Sequence, residues 1–582
     1  MKRDRSAFIW QAAVLGGAIV LAGCGGRPDK WDAVLPSDIE SIGLSGSVAV
    51  RDDPLNRLVM LSSPSERRLA TTALPAGQSI VHWEAGPRRQ RLYVLSAGVQ
   101  PRRKPDDELP ALTVVDGGGP GVDPFVVARY TLDSPPDAIQ VDPEGEYAVV
   151  TVGGGVVDNP NELLLVELPP ADATRPSEVE DKKPTAKTIR SFGSSPQAIT
   201  FTPRMRFPDR ERRLLIVRTE QEVALIDLEN PEEEVTVKLS DPLAGQVTSR
   251  PVEVVYHDNQ PDEFGLEPDE DRYPLIAIRM ANESTIPFLS FEPPTGTSDS
   301  TNDEDPIETK GVGFKVAVNL AEVRAVPSDI DFFWTEVNNE PQLRLAALLQ
   351  APIEGQYRAA MVDPIANRTD FVEVGGHYTS MTRITDEAAI EPRTSDIALL
   401  WGAQTSVAFW ELGTTGSAGH RSIETCPVGI NVSSVTSITR DDTAPKGEDY
   451  DFGHLKILQG SGAREFYVLD LKERESSPMV TSQTNPIISL SPDGQRAWIH
   501  EARSSRFASL RFADLHPTTL QVERNVTAVH DIVQGDQDDD TSERAVLVLH
   551  ADGSSLGVTV LDAIEPDTAD TRFYGGVLLG GL

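Results

Sequence analysis

Cysteine is nearly missing from this 582-residue sequence, which holds it only at positions 24 and 426. A disulfide framework and a Cys-rich zinc or iron–sulfur centre are thereby excluded. Positive charge is scarce too: 53 Lys and Arg stand against 90 Asp and Glu, a formal charge of −37. That balance argues against a basic face for nucleic acid or an anionic bilayer. Aromatics make up 6% of the chain, and no long apolar run follows residue 23. What remains, 39% apolar residues with 44 Gly, suits a globular body rather than disorder. Length alone suggests three or four ordinary domains, a number that all-β folds often undercut.

The amino terminus is organised differently from the rest. Lys2, Arg3 and Arg5 precede an uncharged, mostly apolar stretch of 18 residues, 6–23, interrupted by Gln11, Gly16 and Gly17. Such a stretch is at the short limit for a membrane span and fits a signal peptide. It ends in Leu21-Ala22-Gly23-Cys24, which resembles the lipobox of bacterial lipoproteins. The resemblance implies that the Cys24 thiol receives a diacylglyceryl group and that cleavage makes Cys24 the first mature residue. A further acyl chain, such as palmitate, then goes onto the freed amine; two or more chains make an attachment stable where one is marginal. Gly25 stands where an Asp would retain an enterobacterial lipoprotein in the inner membrane, so the resemblance places the protein in the outer membrane. The alternatives are an uncleaved anchor helix, or a general secretory signal with Cys24 an incidental neighbour. Without residues 1–23 the charge becomes −39. Residues 24–45, rich in Gly, Pro and polar side chains, read as a lipidated tether.

From residue 46 to 582 the texture is uniform. Runs of four to seven β-forming residues, such as Arg91-Leu-Tyr-Val-Leu95 and Ala148-Val-Val-Thr-Val152, alternate with turns rich in Pro, Gly, Asp and Asn. The expected class is all-β. A repeated grammar overlies it: a strand opening near Pro, a Pro-Glu-Gly or Pro-Asp-Gly turn, a second strand, then a third ending in an acidic residue and Leu. Units beginning at Pro136, Pro196 and Asn485 carry it most fully, and weaker copies begin near Ser79, Pro251, Pro327, Thr379, Ser434 and Thr527. Acidic, Pro-rich insertions at 258–271 and 293–306 fit loops on this scaffold. A four-stranded unit at such a period predicts a β-propeller, because each small sheet buries its faces only against neighbours. The units near Pro136 and Asn485 resemble YVTN-type and lactonase-like propeller repeats. Counted from Val48 there are nine or ten units, against the usual four to eight, which leaves one large ring or two rings open. A β-sandwich array is the alternative fold. The terminal Tyr574-Gly-Gly-Val-Leu-Leu-Gly-Gly-Leu582 reads as a ring-closing strand or a frayed tail.

Catalytic motifs are hard to find. His82, His257, His377, His420, His454, His500, His516, His530 and His550 form no compact metal spacing, and each is expected to be structural or at the surface. Gly413–Gly419 has the wrong frame for a nucleophile elbow, and Gly117-Gly-Gly-Pro-Gly121 lacks the Lys-Ser/Thr of a P-loop and reads as a flexible loop. Asp536, Asp538 and Asp540 alternate as in the first half of a calcium loop, but Thr541 takes its Gly position and Leu547 stands where the bidentate Glu belongs. This cluster and the acidic segments 258–271 and 299–305 read as solvated loops, with weak calcium binding as the alternative. Cys426 is expected to act as a small buried hydrophobe. Phe332-Phe-Trp334, Phe409-Trp410 and Trp498 are expected in the core.

No catalytic residue, metal ligand or cofactor site is therefore expected, and Cys24 is the single modified position. The function expected is a lipid-anchored binding or scaffold module for protein partners at the outer membrane, facing the periplasm or the cell surface, with no role for nucleic acid. The alternative is a propeller enzyme such as a lactonase-like, metal-dependent hydrolase. That reading rests on fold resemblance alone.

Overall fold

The computed structural model describes residues 39–577, except 64–67, 120, 153–158, 160, 178, 180, 191–194, 208–209, 240–249, 259–273, 293–314, 338–339, 385–396, 413–422, 441–451, 534–543, 552–555 and 567–570. The lipobox with Cys24, the Asp536–Asp540 cluster, His420 and the Gly413–Gly419 segment lie outside the described residues. Among the described residues no helix is long and apolar enough to cross a membrane.

Ten sheets follow one another along the chain, each built on four antiparallel strands, termed a to d from the centre outwards, and a short parallel strand joins the outer edge of the second. Their inner a strands are Ser41–Gly43, Ile80–Ala85, Pro136–Val141, Ala198–Arg206, Pro251–His257, Pro327–Val337, Ser380–Ile384, Ser434–Ser437, Ile487–Leu490 and Ala528–Val533. These starts fall within two residues of the nine repeat starts expected from the sequence. The remaining start differs: Ser41–Gly43, read as tether, is the inner strand of blade 1.

Ten apolar clusters fill the spaces between successive sheets, one per interface. Val149, Leu163 and Leu165 of blade 3 meet Ile199, Leu215 and Val217 of blade 4. Phe333, Leu348 and Met361 of blade 6 meet Met381, Leu400 and Trp410 of blade 7. The tenth cluster joins the ends of the chain, setting Val48, Val50 and Leu61 of blade 1 against Leu547, Leu549 and Val558 of blade 10. The body is a ten-bladed β-propeller. A single ring thus replaces the two-ring and β-sandwich alternatives.

The repeat grammar has a physical reading. In blade 3 the turn after strand a is fastened when the Asp142 carboxylate accepts from Tyr147 N at 2.8 Å, and Gly145 takes φ +73°, which side chains disfavour. The acidic-plus-Leu pair ends strand c: Leu168 N donates to Glu146 O and Leu228 N to Arg213 O, folding each leucine into the core. Blades are also tied in pairs by arginine. Arg213, at the start of blade 4 strand b (Glu211–Arg218), reaches back to Asp142 at 2.7 Å and to Glu144 and Glu146 in blade 3. In the same way Arg544 of blade 10 binds Asp493 in the Pro-Asp-Gly turn of blade 9, and its own Asp531 accepts from Trp498 Nε1 at 3.0 Å. Guanidinium suits these buried positions because its fork satisfies several acceptors at once.

Closure involves no exchange of strands between the chain ends. Beside the shared cluster, Val533 N donates to Ser45 O at 2.7 Å, and Ser41 Oγ lies 2.8 Å from His530 Nε2. The terminal segment contributes Arg572–Tyr574, the outer strand of blade 10, and Tyr574 and Val577 pack on the closing cluster. His530 is half-buried at this joint, and its desolvation, with Arg89 and His500 nearby, pushes its pKa down to about 3. The folded chain therefore keeps this imidazole neutral, whereas the unfolded chain protonates it below its ordinary value of 6.5. Stability from this group is complete above pH 6.5 and falls by about 1.4 kcal/mol per pH unit as pH drops towards 3. Melting temperatures at pH 7.5 and 4.5 should show a larger acid-induced drop for wild type than for His530→Gln.

Candidate functional site

Alternation of strand direction gives the ring two distinct faces. Turns a–b and c–d emerge on the first, and turns b–c with the d–a crossings emerge on the second. On the first face, the connection between strands c and d of blade 3 (Glu162–Glu167 and Thr185–Thr188) does not close at once. It runs out over blade 2, where Asp181–Lys182 pairs in parallel with that blade's outer strand, Phe125–Thr131. This strap is pinned by the buried Arg91, whose guanidinium donates to the carbonyls of Pro169 and Pro170.

Two clefts lie under the strap. The outer, roughly 510 Å³, is bounded by Leu74, Thr113, Val126, Arg129 and Val179. The inner, roughly 450 Å³, is bounded by Ser45, Gln90, Asp116, Gly118, Val122 and Ala173. Phe125 and Arg175 line both. These volumes lie in the range of small-molecule sites. Burial raises the pKa of Asp116, against the pull of Gly118 N, which donates to it at 2.9 Å. The Gly117–Gly121 segment, read as a flexible loop, is a closed turn at this cleft: Gly119 and Val122 exchange backbone bonds, and a Cβ on Gly118 would stand 2.4 Å from Val122 O.

The residues singled out in the sequence are scattered. His82 on the inner strand of blade 2 lies 3.7 Å from Glu84, His257 packs edge-on to Trp334, and His377 stacks on Tyr357. His454 sits 4.0 Å from Asp470, His516 opens an exposed outer strand, and His550 bonds Asn525 O and Thr559. His500 is buried in blade 9. Among the described residues no three His, Cys, Asp or Glu side chains gather as a metal site. Cys426 is buried in the cluster between blades 7 and 8, and burial pushes its thiol pKa up, as a small hydrophobe's would be. Phe332, Phe333, Trp334, Phe409, Trp410 and Trp498 are all buried, and Leu547 lies in the closing core.

One cluster escaped the sequence reading. On the second face, Glu253 of blade 5 pairs with Arg279 on the adjacent strand at 2.6 Å. Its carboxyl is also hydrogen-bonded to that of Asp329 in blade 6, which accepts from Met381 N of blade 7 at 2.6 Å. Burial, and then Glu253, raise the pKa of Asp329 to about 7. Register shifts directly before Glu253 and Asp329 mark bulges that aim both side chains. The available signal was the shared Pro-x-acid opening of the two units, Pro251-Val-Glu253 and Pro327-Ser-Asp329.

No family model and no curated protein matches the chain. Among solved structures it is similar to the dihydro-heme d1 dehydrogenase NirN in complex with DHE, at 10% identity over 87% of this chain and 77% of that one, TM-score 0.34. It is similar also to apo AztD from Citrobacter koseri, at 9% identity over 76% and 96%, TM-score 0.33. The Dos1 propeller matches at 9% identity over 73% and 90%, TM-score 0.32. Likenesses this distant place no activity on the chain.

The start of the strap is held by one buried cation, Arg91. Arg91→Gln should open residues 170–182 to early cleavage in limited proteolysis, at a cost of about 3 kcal/mol in local stability, since hydrogen bonds to a charged group are the strong ones. The rest of the ring should resist the protease as wild type does.

Proposed function

We propose that this protein is a lipid-anchored scaffold of the cell envelope that recruits cationic protein partners through the first face of its ring. The observation that carries the reading is where the acidic sequence leaves the scaffold. Residues 259–273 and 293–314 connect strands a–b and c–d of blade 5, and 385–396, 441–451 and 534–543 connect strands a–b of blades 7, 8 and 10. The strands flanking all five end on the first face. Together the five segments hold 25 of the 90 acidic residues and 4 of the 53 basic ones. A rigid ring carrying charged connections on one side suits recognition by complementary charge, which speeds encounter and selects against acidic partners.

The lipobox-like Leu21-Ala22-Gly23-Cys24 supports the anchor, and the absence of Asp at position 25 supports the outer membrane as its destination. The metal-dependent hydrolase reading would call for a gathered ligand set, and its support remains the resemblance of single repeat units.

Crosslinked pull-down of the full-length protein from solubilised membranes tests the proposal, with Cys24→Ser as control. The wild-type chain should fractionate with membranes and recover a basic partner near one-to-one. Recovery should fall several-fold between 50 and 300 mM salt, because exposed charge pairs are screened. Cys24→Ser should move the chain to the soluble fraction. Replacing Asp536, Asp538, Asp539 and Asp540 by Asn should weaken capture without lowering the melting temperature. A well-folded sample that captures nothing, or capture indifferent to salt and to these four changes, overturns the reading.

A further inference from the structure

The second face carries a local cluster of positive charge. Around the Glu253–Asp329 pair stand three guanidinium groups, from Arg218 and Arg279 on the b strands of blades 4 and 5 and from Arg250 on the crossing between those blades. Their placement follows from register. Arg279 lies opposite Glu253, Arg218 lies opposite Ala198 at the start of its blade's inner strand, and Ala281 N donates to Arg250 O at 2.7 Å. All three therefore reach the second-face rim of the central channel over adjoining blades. Among the described residues, Glu253 is the one acidic side chain paired with any of them.

We propose that this rim is a binding site for a small oxyanion, a phosphate or carboxylate group, gripped by Arg218 and Arg279 with Arg250 at its edge. Arg218 is half-buried and makes no salt bridge among the described residues. Its burial, together with the like charges of Arg279 and Arg250, lowers its pKa despite Glu253. In a chain of formal charge −37, this leaves a local excess of positive charge in a partly desolvated rim. An oxyanion relieves that repulsion and accepts from two planar forks. Asp329 suits the same ligand while its carboxyl shares a proton with Glu253, since it then adds no negative charge where a second carboxylate would repel. Asp329 faces Glu253 and Arg279 from blade 5 and the Met381 amide from blade 7. Its ionisation would thus add negative charge directly to the rim. The site lies opposite the acidic connections and is independent of the scaffold proposal.

Calorimetric titration of the folded chain with inorganic phosphate, and separately with citrate, tests this at pH 6 and pH 8. At least one probe should bind near one-to-one, and the probe that does separates a phosphoryl from a polycarboxylate ligand. Arg218→Gln should weaken binding at least ten-fold with an unchanged melting temperature. Arg464→Gln, which removes an exposed charge from the same face of blade 8, should leave it unchanged. From pH 6 to pH 8 the affinity of wild type should fall several-fold relative to that of Asp329→Asn, which stays neutral at both pH values. No binding by either probe, or equal losses in Arg218→Gln and Arg464→Gln, overturns the proposal.

Discussion

Everything in this molecule depends on the inability of a four-stranded sheet to hide both of its apolar faces. Residues such as Val149 and Val150 are completely buried, yet they point to opposite sides of one thin sheet. Each face therefore needs a neighbour. A row of blades would leave two of them bare, and only closure removes the exposed ends. The cluster shared by blades 1 and 10 is built like the other nine, although its halves lie some 500 residues apart in sequence. Among the described residues that join is non-covalent and unswapped, with a neutral imidazole beside it.

Packing sets the ring, and polar ties set its geometry. Arg213 and Arg544 each bind the turn of the preceding blade, fixing how far one sheet rotates against the next. Arg91 occupies the corresponding place in blade 2, but its partners are the carbonyls of the strap. One recurring position thus serves as an inter-blade tie in some units and as a clamp for an insertion in another. Such ties are desolvated and would be costly if half-made, which favours a single register for each blade.

The parts of the fold legible in the sequence were those written locally. Proline at strand openings, Gly145 in its left-handed turn, and the leucine after each acidic strand end are decided by a few adjacent residues. Hence the blade starts at Pro136, Pro251, Pro327 and Ser434 could be placed to the residue. Features decided by distant pairs were not legible. Nothing in Ser41–Gly43 announces that its partner is Ala528–Val533, and nothing in Asp181-Lys182 announces a parallel bridge to blade 2. The rim cluster failed for the same reason: Glu253 and Asp329 are 76 positions apart and meet only because their blades are neighbours. The acidic insertions were visible as composition, but their convergence on one face needed the strand directions.

The position of Ser41 has a consequence for orientation. The first inner strand begins at the second face, so the chain enters the ring from that side. Sixteen residues lie between Cys24 and Ser41, a leash of at most about 60 Å when fully extended. A lipid on Cys24, if present, would therefore attach on the second-face side of the ring, the side opposite to the ends of the strands that flank the acidic connections. The topology of a single short strand would thus act as a compass for the whole disc.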